Sequence, residues 1–167
     1  MKKLLKFIYQ FFLTVYIFES YSKFNKVNKK GTSIFFVRSA NKARISKITK
    51  KYFGENKFKL NRFKEKSKFI GLKRRNEIIC SGWIYFGNKW KIEEINKNIA
   101  LKNQHLLYDF LTEKKFRNMG YYKLLFRIIQ NKFQKKRLIG YALSNNYKSI
   151  RGLEKSGFKF IKKLKKY

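Results

Sequence analysis

The sequence holds one cysteine, Cys80, one histidine, His105, and no proline. A single thiol excludes an intrachain disulfide framework and a cysteine-rich zinc site. A single imidazole excludes a histidine metal cluster and any catalysis that needs two histidines. The lack of proline excludes collagen-like and polyproline segments. Acidic residues are scarce, 9 against 43 Lys and Arg, and Asp109 is the only aspartate. Long apolar runs are also missing. The charge-free stretch over residues 7–18 has 12 residues, short of the roughly 20 that a membrane-spanning helix needs.

What is present suffices for a folded core. Apolar residues make up 44% of the chain and aromatics 19%, which argues against disorder. The 167 residues fit one domain of ordinary size, and about two-thirds of the unfolded surface can be buried at this length. The net charge of +34 favours an anionic partner such as a nucleotide, nucleic acid or anionic lipid. A second origin competes with this one. Lys, Phe, Ile, Asn and Tyr all have A- and T-rich codons and together make up more than half of the chain. A biased genome produces that profile without any partner. Lysine also outnumbers arginine, 34 to 9, although the planar arginine fork is the better phosphate reader.

Residues 1–30 read as a separate leader, with the main domain over 31–167. Leu4, Ile8, Phe11, Val15 and Phe18 fall on one helical face. The spacing predicts an amphipathic helix over 1–18 that packs on the domain, on a second subunit or on a membrane surface. Residues 22–31 follow as a basic linker. The expected location is cytoplasmic, with peripheral contact to the inner membrane face through residues 1–18. Strands are expected over 33–38, 68–73, 77–86, 106–112, 137–143 and 158–161. Helices are expected over 40–53, with Ala43, Ile45, Ile48 and Tyr52 inward, and over 121–133. A third opens at Asn145-Asn146 and ends at Gly157. Residues 55–67 are basic and weakly patterned, and 162–167 form a basic tail. This order predicts an α+β domain with one mixed central sheet and helices on both faces. Cys80, inside a strand, reads as a small buried residue.

Chemistry concentrates in residues 107–125, LYDFLTEKKFRNMGYYKLL. A strand ends, a basic loop turns at Arg117-Asn118-Met119-Gly120, and a helix begins. The first N–H groups of a helix and its dipole favour an anion, and glycine lets backbone approach a phosphate. Downstream, residues 146–158 read NYKSIRGLEKSGF, with one strand between the two segments. Together the segments resemble the GCN5-related N-acetyltransferase (GNAT) family. Arg117 to Tyr122 is similar to its Arg-x-x-Gly-x-Gly/Ala loop. Asn146, Ser149, Lys155, Gly157 and Phe158 are similar to its Asn-x-x-Ser/Ala…Lys-x-Gly-Phe ending. The likeness is specific over about 106–160, and residues 1–30 lie outside it.

The resemblance implies a GNAT-like mixed sheet and acetyl transfer from acetyl-CoA to a primary amine, with no metal. It implies backbone bonds from Leu111 and Thr112 to the pantetheine. It implies a pyrophosphate cradle of Arg117, Asn118, Met119, Gly120, Tyr121 and Tyr122, with Asn146 on the pantetheine arm. Three departures stand out. Tyr122 replaces a small residue and is expected to tighten the loop. Leu153 stands where many members carry a tyrosine that protonates the leaving thiolate, so Ser149 or water is the remaining acid. Sequence past Phe158 is short where many members add a strand, so that side is expected to be open or completed by residues 1–30. For the base, a carboxylate beside the acceptor amine is needed. Asp109 is the first candidate, ahead of Glu93, Glu94, Glu113 and His105; for His105 a surface position is the simpler reading. The segment 107–125 is similar to bacterial members of surface-polysaccharide synthesis, which implies an amino-sugar nucleotide as acceptor. The alternatives are a protein N-terminus or a basic nucleic-acid-binding module on a degenerate scaffold.

Overall fold

The computed structural model describes residues 13–20, 30–45, 52–53 and 57–166. Its centre is a seven-stranded sheet. The strands are β1 (Thr14–Ser20), β2 (Ser33–Val37), β3 (Ser67–Arg74), β4 (Glu77–Tyr85), β7 (Gln104–Thr112), β8 (Arg137–Leu143) and β9 (Phe158–Lys165), in the spatial order β2-β3-β4-β7-β8-β1-β9. Every neighbouring pair is antiparallel except β7 and β8, which run parallel. Between β4 and β7 the chain forms a second, two-stranded sheet from β5 (Lys89–Ile92) and β6 (Lys97–Ala100), joined by a 3-10 turn at Glu93–Ile95. Four helices are described: α1 (Ala40–Ile45), α2 (Lys57–Asn61), α3 (Tyr121–Lys132) and α4 (Tyr147–Lys155). Among the described residues, no helix is long and apolar enough to cross a membrane.

Each face of the sheet has its own cover. On one face, Leu124, Leu125 and Ile129 of α3 and Leu153 of α4 pack against Phe18, Leu72 and Leu107. The three α3 residues recur at helical spacing, so one stripe of the helix meets the sheet. The opposite face carries two smaller clusters. Phe53 and Leu60 cover Phe69, Trp83 and Tyr108. Ile92, Ile95 and Ile99 of the β5–β6 hairpin cover Val15, Ile17, Leu106 and Ile139. The expected α+β architecture with helices on both faces is therefore the observed one.

Residues 14–20 correct the expected leader. They form a strand inside the sheet, between β8 and β9, where an amphipathic helix over 1–18 was expected. The boundary at residue 31 accordingly does not separate them from the domain. The reason lies in the burial. Val15 and Ile17 face the hairpin, Phe18 faces α3, and all three are buried. A strand covered on both faces is apolar throughout and cannot be told from a helix by periodicity. The run of Thr, Val, Tyr, Ile and Phe favours the strand. Of the two outcomes expected past Phe158, completion by residues 1–30 is the one seen, through β1. Residues 1–12 and 21–29 lie outside the described residues.

Glu19 is the charged member of β1 and is buried. Gln104 Nε2 donates to its Oε1 at 2.7 Å, and Arg137 Nε lies 3.3 Å from the same oxygen. A buried carboxylate needs such partners. Other differences are local. The helix expected over 40–53 is described over α1 and at Tyr52 and Phe53; the side chains of Ala43, Ile45 and Ile48 lie outside the description. Residues 55–67 include α2, and β9 runs on to Lys165 through the expected basic tail. The β5–β6 hairpin was not anticipated.

Phe18→Ala tests the placement of β1. Truncating a phenylalanine that is 1% exposed is expected to cost about 3–5 kcal/mol in urea unfolding. A peripheral segment would show almost no change.

Candidate active site

The site begins where the parallel pair ends. The β7–β8 ladder runs only from Gln104↔Arg137 to Leu107↔Gly140. Beyond it the two strands part, and a cleft of about 260 Å³ opens between them. Two local features accompany the parting. In β7, Tyr108 pairs with Trp83 and Leu111 with Ser81, so Asp109 and Phe110 together oppose Gly82. That is a β-bulge, and Asp109 sits in it at φ +50°, a strained conformation for a residue with a side chain. Gly82 is needed opposite: a Cβ there would enter the Phe110 ring. In β8, Gly140 leaves room for Leu153, whose Cδ2 would lie 2.8 Å from an added Cβ.

The bulge also sets which face each side chain joins. Leu107 points to the α3 face and Tyr108 to the opposite one, as alternation requires. Asp109 breaks the alternation and stays on the Tyr108 side, where its Oδ2 meets Arg62 Nη2 at 2.5 Å. Phe110 returns to the α3 side and packs edge-on against Phe126 at 4.6 Å. The cleft therefore passes through the sheet. Its α3–α4 side is lined by Phe110, Tyr122, Phe126, Asn146, Ser149 and Leu153. Its other side is lined by Glu94, Tyr108, Asp109 and Tyr141.

Five of the residues expected in the site thus meet in one cleft: Glu94, Asp109, Tyr122, Asn146 and Ser149. Asn146 also has a structural task, since its Oδ1 accepts from Ser149 N at 3.2 Å and caps α4. Tyr122 was expected to tighten the loop before α3, but its ring lies elsewhere. Its ring turns into the cleft, stacks on Phe126 at 4.4 Å and would lie 3.1 Å from a Cβ on Gly152. Leu111, Thr112, Arg117, Asn118, Met119 and Gly120 stand outside the cleft, along the β7–α3 connection. There Arg117 Nε donates to the carbonyl of Thr112 at 3.1 Å, so the guanidinium fastens the loop. Asn118 and Gly120 have positive φ, +63° and +78°. Gly120 is the N-cap of α3, with no side-chain cap and no acidic residue in the first turn. The space above its Cα is open for 4 Å. The Tyr121 side chain belongs to the core, edge-on to Phe116, which leaves only its backbone for a ligand.

His105 is half-buried between Phe86 and Phe133, away from the cleft and not on the surface as expected. Burial lowers its pKa, and Lys136 lowers it further. Cys80 is buried as expected; burial pushes its thiol up to about 12, against a hydrogen bond from Thr112 Oγ1. Burial likewise raises the phenols of the cleft. Tyr108 is pushed up to about 12, although its bond to Ser67 Oγ at 2.9 Å and nearby Arg62 pull the other way. Tyr122 and Tyr141 are raised by burial too; Cys80 adds to the first, and Glu94 and Asp109 add to the second. All three are neutral hydroxyl donors at pH 7.

Tyr108, Phe110, Phe126 and Tyr141 were not anticipated in the site. Their roles follow from strand parity beyond the bulge, which the sequence does not announce. The apolar spacing of α3 was the only advance signal, and it marked Phe126 merely as a helix residue.

No protein-family model and no curated protein matches the chain. Solved structures share its fold. A GNAT-family structure from Novosphingobium aromaticivorans superposes with a TM-score of 0.55 at 11% identity, over 91% of this chain and 61% of that one. An acetyltransferase of the GNAT family from Colwellia psychrerythraea gives 0.55 at 12%, over 89% and 53%. An aminoglycoside acetyltransferase from an uncultured soil metagenomic sample, solved with trehalose, gives 0.51 at 12%, over 77% and 88%. The chain thus spans between half and two-thirds of the length of the first two. At these identities the likeness establishes the fold, which is that of the GNAT acetyltransferases.

Tyr108 supplies a pH test. Its folded pKa of about 12 lies above the unfolded value of about 10. The stability it contributes is full below pH 10 and is lost as pH rises from 10 toward 12. Urea unfolding at pH 9 and pH 11 should show the gap between the parent and Tyr108→Phe shrinking at the higher pH. An unchanged gap would contradict the burial of this phenol.

Proposed function

We propose that the protein transfers an acetyl group from acetyl-CoA to a primary amine. One observation carries the reading: the cleft runs through the sheet at the parted β7–β8 junction, so a donor and an acceptor can approach one point from opposite faces. Positioning of this kind supplies much of the rate in a two-substrate transfer.

The donor side is the α3–α4 side. The open, uncapped start of α3 at Gly120 suits an anionic pyrophosphate. The unpaired edge of β7 past Leu107 offers backbone groups to an amide-bearing arm. Acetyl-CoA would supply an activated thioester there. The acceptor side is the face of Tyr108, Asp109 and Tyr141. Asp109 is the proposed base that takes the proton of the incoming ammonium, directly or through a water, while Arg62 holds its other oxygen. Its φ of +50° is the kind of backbone strain found at working sites. A proton for the leaving sulfur has two sources on the donor side, Ser149 and the Tyr122 phenol. The phenol comes from α3 here, and Leu153 fills the α4 position where many members carry a tyrosine.

An amino-sugar nucleotide remains an acceptor to test. Its amine would enter the cleft, and its diphosphate would lie outside against the lysine-rich surface. A protein N-terminus is compatible with the open acceptor side.

The decisive experiment is thermal stabilisation by acetyl-CoA at about 0.3 M salt, where screening is tighter than the ~8 Å of physiological salt. Acetyl-CoA at 100 times its dissociation constant is expected to add about 2.7 kcal/mol. Gly120→Glu should abolish the effect by placing a carboxylate at the anion site. Equal stabilisation by a short RNA, insensitive to that variant, would instead favour a basic binding module. If transfer is found, Asp109→Asn should lower kcat/KM about a hundredfold with acetyl-CoA stabilisation retained. A variant at parental activity would remove Asp109 from the role of base.

A further inference from the structure

The acceptor side of the cleft has a charge opposite to that of the chain. The sequence carries 43 Lys and Arg, yet among the described residues neither type lines the cleft, while two of the 9 acidic residues do: Glu94 and Asp109. They arrive from different parts of the fold. Asp109 stands on the bulge of β7, and Glu94 stands on the turn between β5 and β6. Both act on the half-buried Tyr141, which lines the cleft with them and whose phenol both of them raise. Asp109 is half-compensated by Arg62. Glu94 is exposed and makes no ion pair among the described residues, whereas its neighbour Glu93 pairs with Lys91 at 3.1 Å. Glu65, Glu113 and Glu154 also make no ion pair among the described residues, and Glu94 is the one of this group that lines the cleft.

The aromatic walls point the same way. The Tyr108 ring already attracts a cation, the Arg62 guanidinium 5.2 Å from its centroid, and Tyr141 lines the cleft on the same side. Long-range repulsion from the net charge of +34 does not decide the matter. At physiological salt it is screened over about 8 Å, and groups within the cleft act at shorter range. Repulsion of a cationic acceptor by the net charge therefore stops at the mouth of this site.

We propose that the acceptor is a diamine-like cation, a primary amine with a second positive charge, and that Glu94 is the residue that selects it. The proposal rests on the acetyl-transfer reading. Asp109 meets the reacting ammonium and Glu94 meets the distal one. In the transfer, one ammonium proton leaves to Asp109 or water and the freed nitrogen attacks the thioester carbon. The N–C bond forms as the C–S bond breaks, and the second nitrogen proton ends on the thiolate, giving amide, CoA thiol and one released proton. The distal ammonium keeps its charge throughout.

The test compares kcat/KM for the α,ω-diamines from 1,3-diaminopropane to 1,6-diaminohexane with that for butylamine and UDP-glucosamine, at 0.15 M salt and saturating acetyl-CoA. The best diamine is expected to exceed butylamine about tenfold, through KM, as one added ion pair of about 1.4 kcal/mol provides. Glu94→Gln should bring that ratio to about parity, Glu94→Lys should invert it, and Glu94→Asp should retain most of it. Preference for UDP-glucosamine over every diamine, or a diamine preference that survives Glu94→Gln, overturns the proposal. Thermal stabilisation by acetyl-CoA, run on the same samples, separates the two readings. If acetyl-CoA stabilises the protein and no diamine is preferred, only the acceptor assignment fails. If acetyl-CoA does not stabilise it, the transferase reading fails first.

Discussion

Everything distinctive in this structure depends on a parallel pairing that stops after four residue pairs. A sheet normally satisfies its backbone by continuing each ladder. Here β7 and β8 part after Leu107 and Gly140, and the exposed backbone becomes an asset if a ligand completes it. The bulge at Asp109 keeps β7 bonded to β4 while turning its end away from β8. Leu153 on Gly140 wedges α4 against the last paired residue of β8. The same parting explains why the cleft reaches both faces of the sheet.

Charge distribution separates two problems that composition merges. The described lysines are exposed or half-buried, where they govern solubility and nonspecific attraction. Among the described residues, the cleft is built instead from neutral phenols, rings, one carboxylate in an ion pair and one outside any ion pair. Net charge therefore gives no guide to the acceptor. Local charge does, because a few ångströms of separation outweigh a distant, screened field.

The legible parts of the sequence were those with a one-sided environment. Helix α3 buries one stripe and begins at a glycine, so Tyr121 to Lys132 could be read from spacing and a break. Strand β8 was read at its observed limits, 137–143, between a basic turn and Asn145-Asn146. Strand β1 was not legible as a strand, since burial on both faces removed the alternation that identifies one. The β5–β6 hairpin, rich in Lys, Glu and Asn, lacked the apolar run that signals strands. In the site, Asp109, Tyr122, Asn146 and Ser149 were found through chemistry and resemblance. Tyr108 and Tyr141 were not, because a bulge changes strand parity without leaving a mark in composition. Glu94 was visible only as one acid among several until the hairpin carried it to the cleft.

Amide hydrogen exchange with and without acetyl-CoA tests the central claim most directly, because it reads the backbone groups that the parted ladder leaves to a ligand. The account predicts that acetyl-CoA slows exchange within residues 108–112 and at the start of α3, 118–122, while β2 and β3 on the far side of the sheet stay unchanged. Protection spread over the lysine-rich surface, or none at the end of β7, would contradict it.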